Sequence, residues 1–295
     1  MRVAPVRSHH RSVLDRLQPV LFTDNLADLS LRDAIAGAKR SGFDGIDLTL
    51  RPGGHVLPEN AETGLSEARR IADDLGAVIP MASTAVTSDK SPHAEAIFAS
   101  AAHYGVRKLK LGYWPYTPFG KLVEQIDAAR RDLAGLVRLG QKYHVLPCVH
   151  CHSGRLVASG GPLLYLILRD FKPTEAGAYA DPMHMTIEGG VSGWEMGLDL
   201  LGPHLALVGV KNFRWLAGDR DEKGQLRYHW EYVPIQDGQA PLPDFVARLK
   251  ELRYDGIVSF HSEYKGGTSF RRLATPELLE QSASDLKHWK ALWKS

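Results

Sequence analysis

Cysteine is scarce in this chain: Cys148 and Cys151 are the only two in 295 residues. Three apart on an expected strand, they face opposite sides, so no disulfide is expected between them. A reducing compartment is the simpler setting, and a chain of this length needs no disulfide or structural metal to hold a core. Long hydrophobic runs are lacking; none could span a bilayer. No charged-then-apolar leader opens the chain. A cytoplasmic protein with no membrane partner is expected. Charge of one sign is lacking too: 36 Lys and Arg stand against 34 Asp and Glu, a net of +2. The signs are interspersed, which leaves no stripe for nucleic acid. A locally basic start (Arg2, Arg7, His9, His10, Arg11, Arg16) reads as a flexible leader over residues 1–16, or as a phosphate-binding arm. Internal repeats and low-complexity tracts are also absent.

What is present is alternation. Short apolar runs at Pro19–Thr23, Gly45–Leu50, Val78–Ser83, Lys108–Gly112, Val145–Val149, Ala176–Ala180, Leu205–Val210 and Ile257–Phe260 read as strands. Helical patterns lie between them. Leu31–Arg40 follows the N-cap Ser30, with Asp33 at the capping-box position, and Glu62–Leu75 stops at Gly76. Further helices are expected over Pro92–Tyr104, Lys121–Tyr143, Leu163–Arg169, Gly193–Leu200, Pro243–Leu252 and Pro276–Trp293. Trp289 and Trp293 in the last one either pack on the body of the protein or mark a contact in a homo-oligomer. Eight alternating units imply a parallel sheet, and closing them gives a single (β/α)8 TIM barrel over residues 17–295. An open doubly wound sheet is the competitor. The segment after its first strand, Thr23-Asp24-Asn25-Leu26, lacks the glycines such folds place there. The long segment Phe213–Gln239 is rich in aromatics and reads as an ordered lid or short hairpin.

Four strands end in polar clusters: His150-Cys151-His152, Asp181-Pro182-Met183-His184, Lys211-Asn212 and His261-Ser262-Glu263. In a parallel barrel these share one end, where the chemistry of such folds collects. Side chains two apart on a strand share a face, so His150 pairs with His152 and His261 with Glu263. Imidazole and carboxylate at strand ends form a ligand set for a divalent transition ion; each alone could be an ordinary hydrogen-bonded strand end. Lys211 either polarises a carbonyl or is a surface lysine. In Arg51-Pro52-Gly53-Gly54-His55, Arg51 and His55 reach for substrate, or Asp47 pairs with Arg51 in a structural turn. Trp114, between Tyr113 and Tyr116, suits a sugar face or plain loop packing. Asp181 ends its strand and His184 follows in a loop; Glu188 faces the pocket or caps the next helix.

At these residues the chain resembles the sugar phosphate isomerase/epimerase superfamily, the xylose isomerase-like barrels. Asp181-Pro182-Met183-His184 is similar to the family's Asp-x-x-His, in which Asp binds metal and His contacts substrate. His152-Ser153-Gly154, Val210-Lys211-Asn212-Phe213 and Ser259–Tyr264 resemble its motifs after the fifth, seventh and eighth strands. The family's paired glutamates and seventh-strand histidine are not matched. His150 and Gly209 stand at two of those positions, and His261 or Glu263 at the third.

The resemblance implies a carbohydrate isomerase or epimerase that abstracts a proton next to a sugar carbonyl. A divalent metal would be held by His150, Asp181 and His261: Mn2+ first, with Mg2+, Co2+ or Zn2+ as others. Glu263 or His152 would be the acid/base and Lys211 would stabilise negative charge. Arg51, His55, Trp114, His184 and Arg214 would contact a sugar or keto-sugar substrate. A carbon–oxygen lyase on 3-keto-glycosides, which needs one base and one acid, and a non-catalytic sugar-binding barrel are the alternatives. A zinc endonuclease would need more acidic and imidazole ligands and a basic DNA-facing surface.

Overall fold

A computed structural model describes residues 17–295; the expected leader, residues 1–16, lies outside the described residues. Eight parallel strands close into a barrel: β1 (Gln18–Phe22), β2 (Gly45–Leu50), β3 (Val78–Thr84), β4 (Lys108–Lys110), β5 (Leu146–His150), β6 (Gly177–Ala180), β7 (Leu205–Val210) and β10 (Ile257–Phe260). β10, the eighth strand of the barrel, pairs with β7 on one side and β1 on the other. The helices α1 (Leu31–Arg40), α2 (Ala61–Asp74), α3 (Ala94–His103), α4 (Leu122–Tyr143), α5 (Gly161–Leu168), α6 (Pro182–Leu201), α7 (Leu242–Glu251) and α8 (Thr275–Lys294) alternate with them. The Ser30 hydroxyl accepts from the Asp33 amide at 3.1 Å, and Gly76 follows α2 with φ of +59°. These are the start and stop chemistries that residue type favours there.

The main core fills the space between strands and helices, and a smaller one plugs the barrel. The plug contains Val20, Met81, Cys148, Tyr179, Leu207 and Ile257. Strand period is two, so residues two further along point into the same lumen, nearer the C-terminal end. That rule places Ser83, Lys110, His150, Asp181, Gly209 and Ser259 above the plug, and Lys211 and His261 above those. Both cysteines are free and buried. Trp289 and Trp293 are buried, Trp289 with its ring edge toward Phe260, so the last helix packs on the barrel.

Two segments refine the expected layout. The long segment after β7 is an antiparallel hairpin of β8 (Asn212–Arg220) and β9 (Leu226–Val233). Helix α6 begins at Pro182, eleven residues before the expected start at Gly193. Asp181 caps it, its carboxylate accepting from the His184 amide, so His184 sits in the first helical turn and not in a loop. The helix kinks at Gly190, where φ is 60°. No helix among the described residues is long and apolar enough to cross a membrane.

Candidate active site

The C-terminal end of the lumen opens into a cavity of about 200 Å³. Arg51, Lys110, Tyr113, His150, His152, Lys211, His261 and Glu263 line it, with Phe22, Asp24, Asn25 and Ser83. Beneath and beside it His150, Asp181 and His184 converge, with one ligand atom from each lying within 4.8 Å of the others. Their parts in the fold explain the convergence. His150 ends β5, Asp181 follows the adjacent β6, and the helix start capped by Asp181 turns His184 back over its own cap.

The trio has the donor atoms and spacing that a cation site needs. His150 Nε2 lies 3.4 Å and His184 Nε2 3.8 Å from Asp181 Oδ2. An ion about 2.0–2.1 Å from each ligand needs ligand separations of that size. All three atoms are buried and none has a hydrogen-bond partner among the described residues. Orphaned buried polar atoms are costly, and a shared ion satisfies all three at once. The opposite ring nitrogens are held: His150 Nδ1 lies 3.1 Å from the Tyr113 hydroxyl and His184 Nδ1 2.8 Å from Ser153 Oγ. Outer partners of this kind orient metal-binding imidazoles. Burial holds both imidazoles well below their usual range, hence neutral, the form that binds a metal. Burial also pushes the Asp181 carboxyl up, and Lys211, 3.8 Å away, pulls it back.

His261, expected as the third ligand, is committed elsewhere. Its Nε2 is 2.7 Å from the buried Tyr179 hydroxyl, its Nδ1 is 3.8 Å from Glu263, and its ring stacks on Phe22. The cluster takes His184 in its place. Gly209 lies behind the cluster; a Cβ there would come 3.1 Å from Asp181 Oδ2.

Across the cavity Lys211 Nζ donates to Glu263 Oε1 at 2.9 Å. Lys211 is buried, while Glu263 is a quarter exposed at the cavity wall. His152 lies against His184, ring centroids 3.8 Å apart, with Nδ1 2.9 Å from the Ser153 carbonyl. Burial, then the Lys211 charge, lowers its pKa to about 4, so it is neutral at pH 7. Arg51 lines the cavity but pairs with Asp24, not Asp47. Three other expected contacts lie away from the cavity lining. Trp114 is buried and donates from Nε1 to Asp132 on α4, at 3.2 Å; its neighbour Tyr113 faces the cavity instead. His55 Nδ1 lies 3.3 Å from the Thr49 hydroxyl. Arg214 is half exposed on the hairpin and pairs with Glu231. Glu188 accepts from the Gly154 amide at 2.8 Å, which ties the loop after β5 to α6.

Of two further buried residues, Asp47 was read from sequence only as a partner for Arg51, and Lys110 was not singled out. Asp47 on β2 accepts from Ser83 Oγ at 3.0 Å and, across the lumen, from Ser259 Oγ at 2.9 Å. Burial raises its pKa to about 7. Lys110 ends β4 with Nζ 3.6 Å from the Tyr113 ring centroid. Burial, then Arg51, lowers its pKa to about 7, against Asp47. The signal available was strand parity: Asp47 lies two after Gly45, and Lys110 two after Lys108.

No curated protein matches the chain in sequence. Solved structures do match in fold. A D-psicose 3-epimerase crystallised with D-fructose superposes with a TM-score of 0.68 at 13% identity, covering 94% of this chain and all of the other. The 3-keto-D-glucoside 4-epimerase YcjR of E. coli gives 0.67 at 12%, covering 93% and 99%. A xylose isomerase-like TIM barrel protein from Mycobacterium smegmatis, in complex with magnesium, gives 0.67 at 13%, covering 94% and 97%. The sequence profile described as xylose isomerase-like TIM barrel matches residues 35–292, nearly the whole described barrel, and the chain belongs to that family.

Proposed function

We propose that the protein is a metal-assisted isomerase or epimerase of a keto-sugar, working by proton abstraction next to the carbonyl. One observation carries this reading: three orphaned ligand atoms, on His150, Asp181 and His184, converge beside a lysine–glutamate pair at the barrel's C-terminal end. A divalent ion bound by that trio would supply Lewis-acid polarisation of the carbonyl oxygen. Two imidazoles and one carboxylate suit Mn2+, Co2+ or Zn2+ better than Mg2+, which prefers oxygen ligands. Sugar epimerases among the structural neighbours support the substrate class.

The remaining roles fall to the cavity wall. Glu263 removes the proton; its carboxylate reaches the cavity and Lys211 holds it in place. The Lys211 ammonium offsets negative charge as it develops on substrate. His152, neutral and in the cavity, donates to or accepts from a hydroxyl. Arg51 positions a second hydroxyl from the rim. Elimination from a 3-keto-glycoside is the second reading. It is favoured by the cavity having one carboxylate, Glu263, that is not tied to an arginine, since elimination needs a single base.

Metal analysis tests the ligand set. His150→Ala, Asp181→Ala and His184→Ala should lose bound Mn2+ while His261→Ala keeps it; equal metal in all four would remove the trio. Deuterium wash-in from solvent across a panel of keto-sugars tests the chemistry. Exchange at the carbon next to the carbonyl is expected, and sugar binding with neither exchange nor turnover would favour a binding barrel.

A further inference from the structure

Each charge in the cavity wall but one has a partner among the described residues. Arg51 pairs with Asp24 and Lys211 with Glu263. Lys110 has no carboxylate within 4.0 Å among the described residues, and its Nζ lies 3.6 Å from the centroid of the Tyr113 ring. It is 3% exposed, yet it lines the cavity. A buried ammonium without a counter-ion is costly, and a cation–π contact offsets only part of that cost. Asp47, deeper in the lumen, helps through space, but its oxygens already accept from Ser83 and Ser259. Burial also holds Asp47 near half-protonation at neutral pH.

We propose that Lys110 is an anion subsite, and that the substrate is a keto-sugar acid whose carboxylate pairs with its ammonium. This rests on the keto-sugar reading above. Three observations favour a single carboxylate. Arg51 and Lys211 each already have a carboxylate, Asp24 and Glu263, which leaves Lys110 as the lining cation without one among the described residues. One carboxylate supplies the single partner that Lys110 lacks. The volume, about 200 Å³, equals roughly seven waters at ~30 Å³ each, room for one sugar ring and not two. Finally, Lys110 and the His150/Asp181/His184 trio approach the cavity from β4 and from β5–β6, with Tyr113 between them, its ring face to Lys110 and its hydroxyl to His150. A carboxylate at Lys110 therefore leaves the rest of the molecule free to reach the trio and Glu263.

Calorimetric binding to the full-length protein tests this with matched probes. These are D-fructose, 2-keto-D-gluconate (the same skeleton with a carboxylate at carbon 1), D-fructuronate (a carboxylate at carbon 6), D-fructose 6-phosphate and acetate. At least one of the two sugar acids should bind at least tenfold tighter than D-fructose. Lys110→Met should bring that ratio close to one with D-fructose affinity unchanged, and Lys110→Arg should restore part of it. Equal affinity for acids and D-fructose, a preference that survives in Lys110→Met, or preference for the 6-phosphate overturns the proposal. Lys110-dependent acetate binding with no sugar bound keeps the anion site and overturns the keto-sugar reading instead. Methionine fills the lysine's space without its charge, so the variant should melt at or above the wild-type temperature. If it fails to fold, the ratios in the unaltered protein decide the matter alone.

Discussion

The two sides of the cavity are made of similar residue types in opposite states. On the β5–β6 side, His150, Asp181 and His184 point at one another atoms that have no hydrogen-bond partner among the described residues. On the β7–β10 side, Lys211 is joined to Glu263, and His261 to Tyr179. Unsatisfied polar atoms of this kind call for a partner, and the proposed metal is that partner. Satisfied ones mark groups whose charge is held in position and available for chemistry. Histidine count alone does not separate the sides, because His261 is as buried as His150; the hydrogen bond from Tyr179 does.

The largest effect should come from the satisfied side. Glu263→Gln keeps an oxygen for Lys211 but cannot take a proton, so kcat for keto-sugar exchange should fall by about 10²–10⁴ with metal content unchanged. Loss of metal in that variant would show that the two sides are not separate. On the unsatisfied side, Tyr113→Phe removes one hydroxyl, the one against His150 Nδ1. Metal affinity, measured by competition with a chelator, should drop about 10–100-fold. An unchanged affinity would mean that the trio is oriented by packing alone.

Asp47 lies below both sides, and its effect is on stability rather than on metal or turnover. Its folded pKa of about 7 lies above the ordinary 3.8, so folding favours its protonated form. The stability this contributes is complete below about pH 4 and is lost as pH rises through 7. Asp47→Asn stays neutral throughout. Its stability relative to wild type should climb across that window, by up to on the order of 4 kcal/mol. Urea unfolding at pH 4, 6 and 8 reads the difference; a constant difference would place Asp47 in a site that tolerates its charge.

Strand and helix order was legible because short apolar runs and helical stripes are local signals. So was the end of the barrel where function gathers, since parallel strands share a direction. Parity also made Asp47 and Lys110 readable as lumen residues, although each looked like an ordinary strand residue in isolation. The choice between Tyr113 and Trp114 was not legible. The two are adjacent, and only the position of Asp132 on α4 decides that the indole turns outward. Nor was the place of His184 rather than His261 in the cluster with His150 and Asp181, which follows from α6 starting at Pro182 and from Tyr179, two strands away from His261.

Composition and periodicity by themselves determined eight alternating strand and helix units and the set of polar residues carried at the strand ends, because both depend on contacts between near neighbours in the chain. Which of those residues would be left unpaired was decided only when strands distant in sequence closed around one lumen. Hydrogen-bond satisfaction is a property of atoms that meet in space, and His150, Asp181, Lys110 and Tyr113 meet only there.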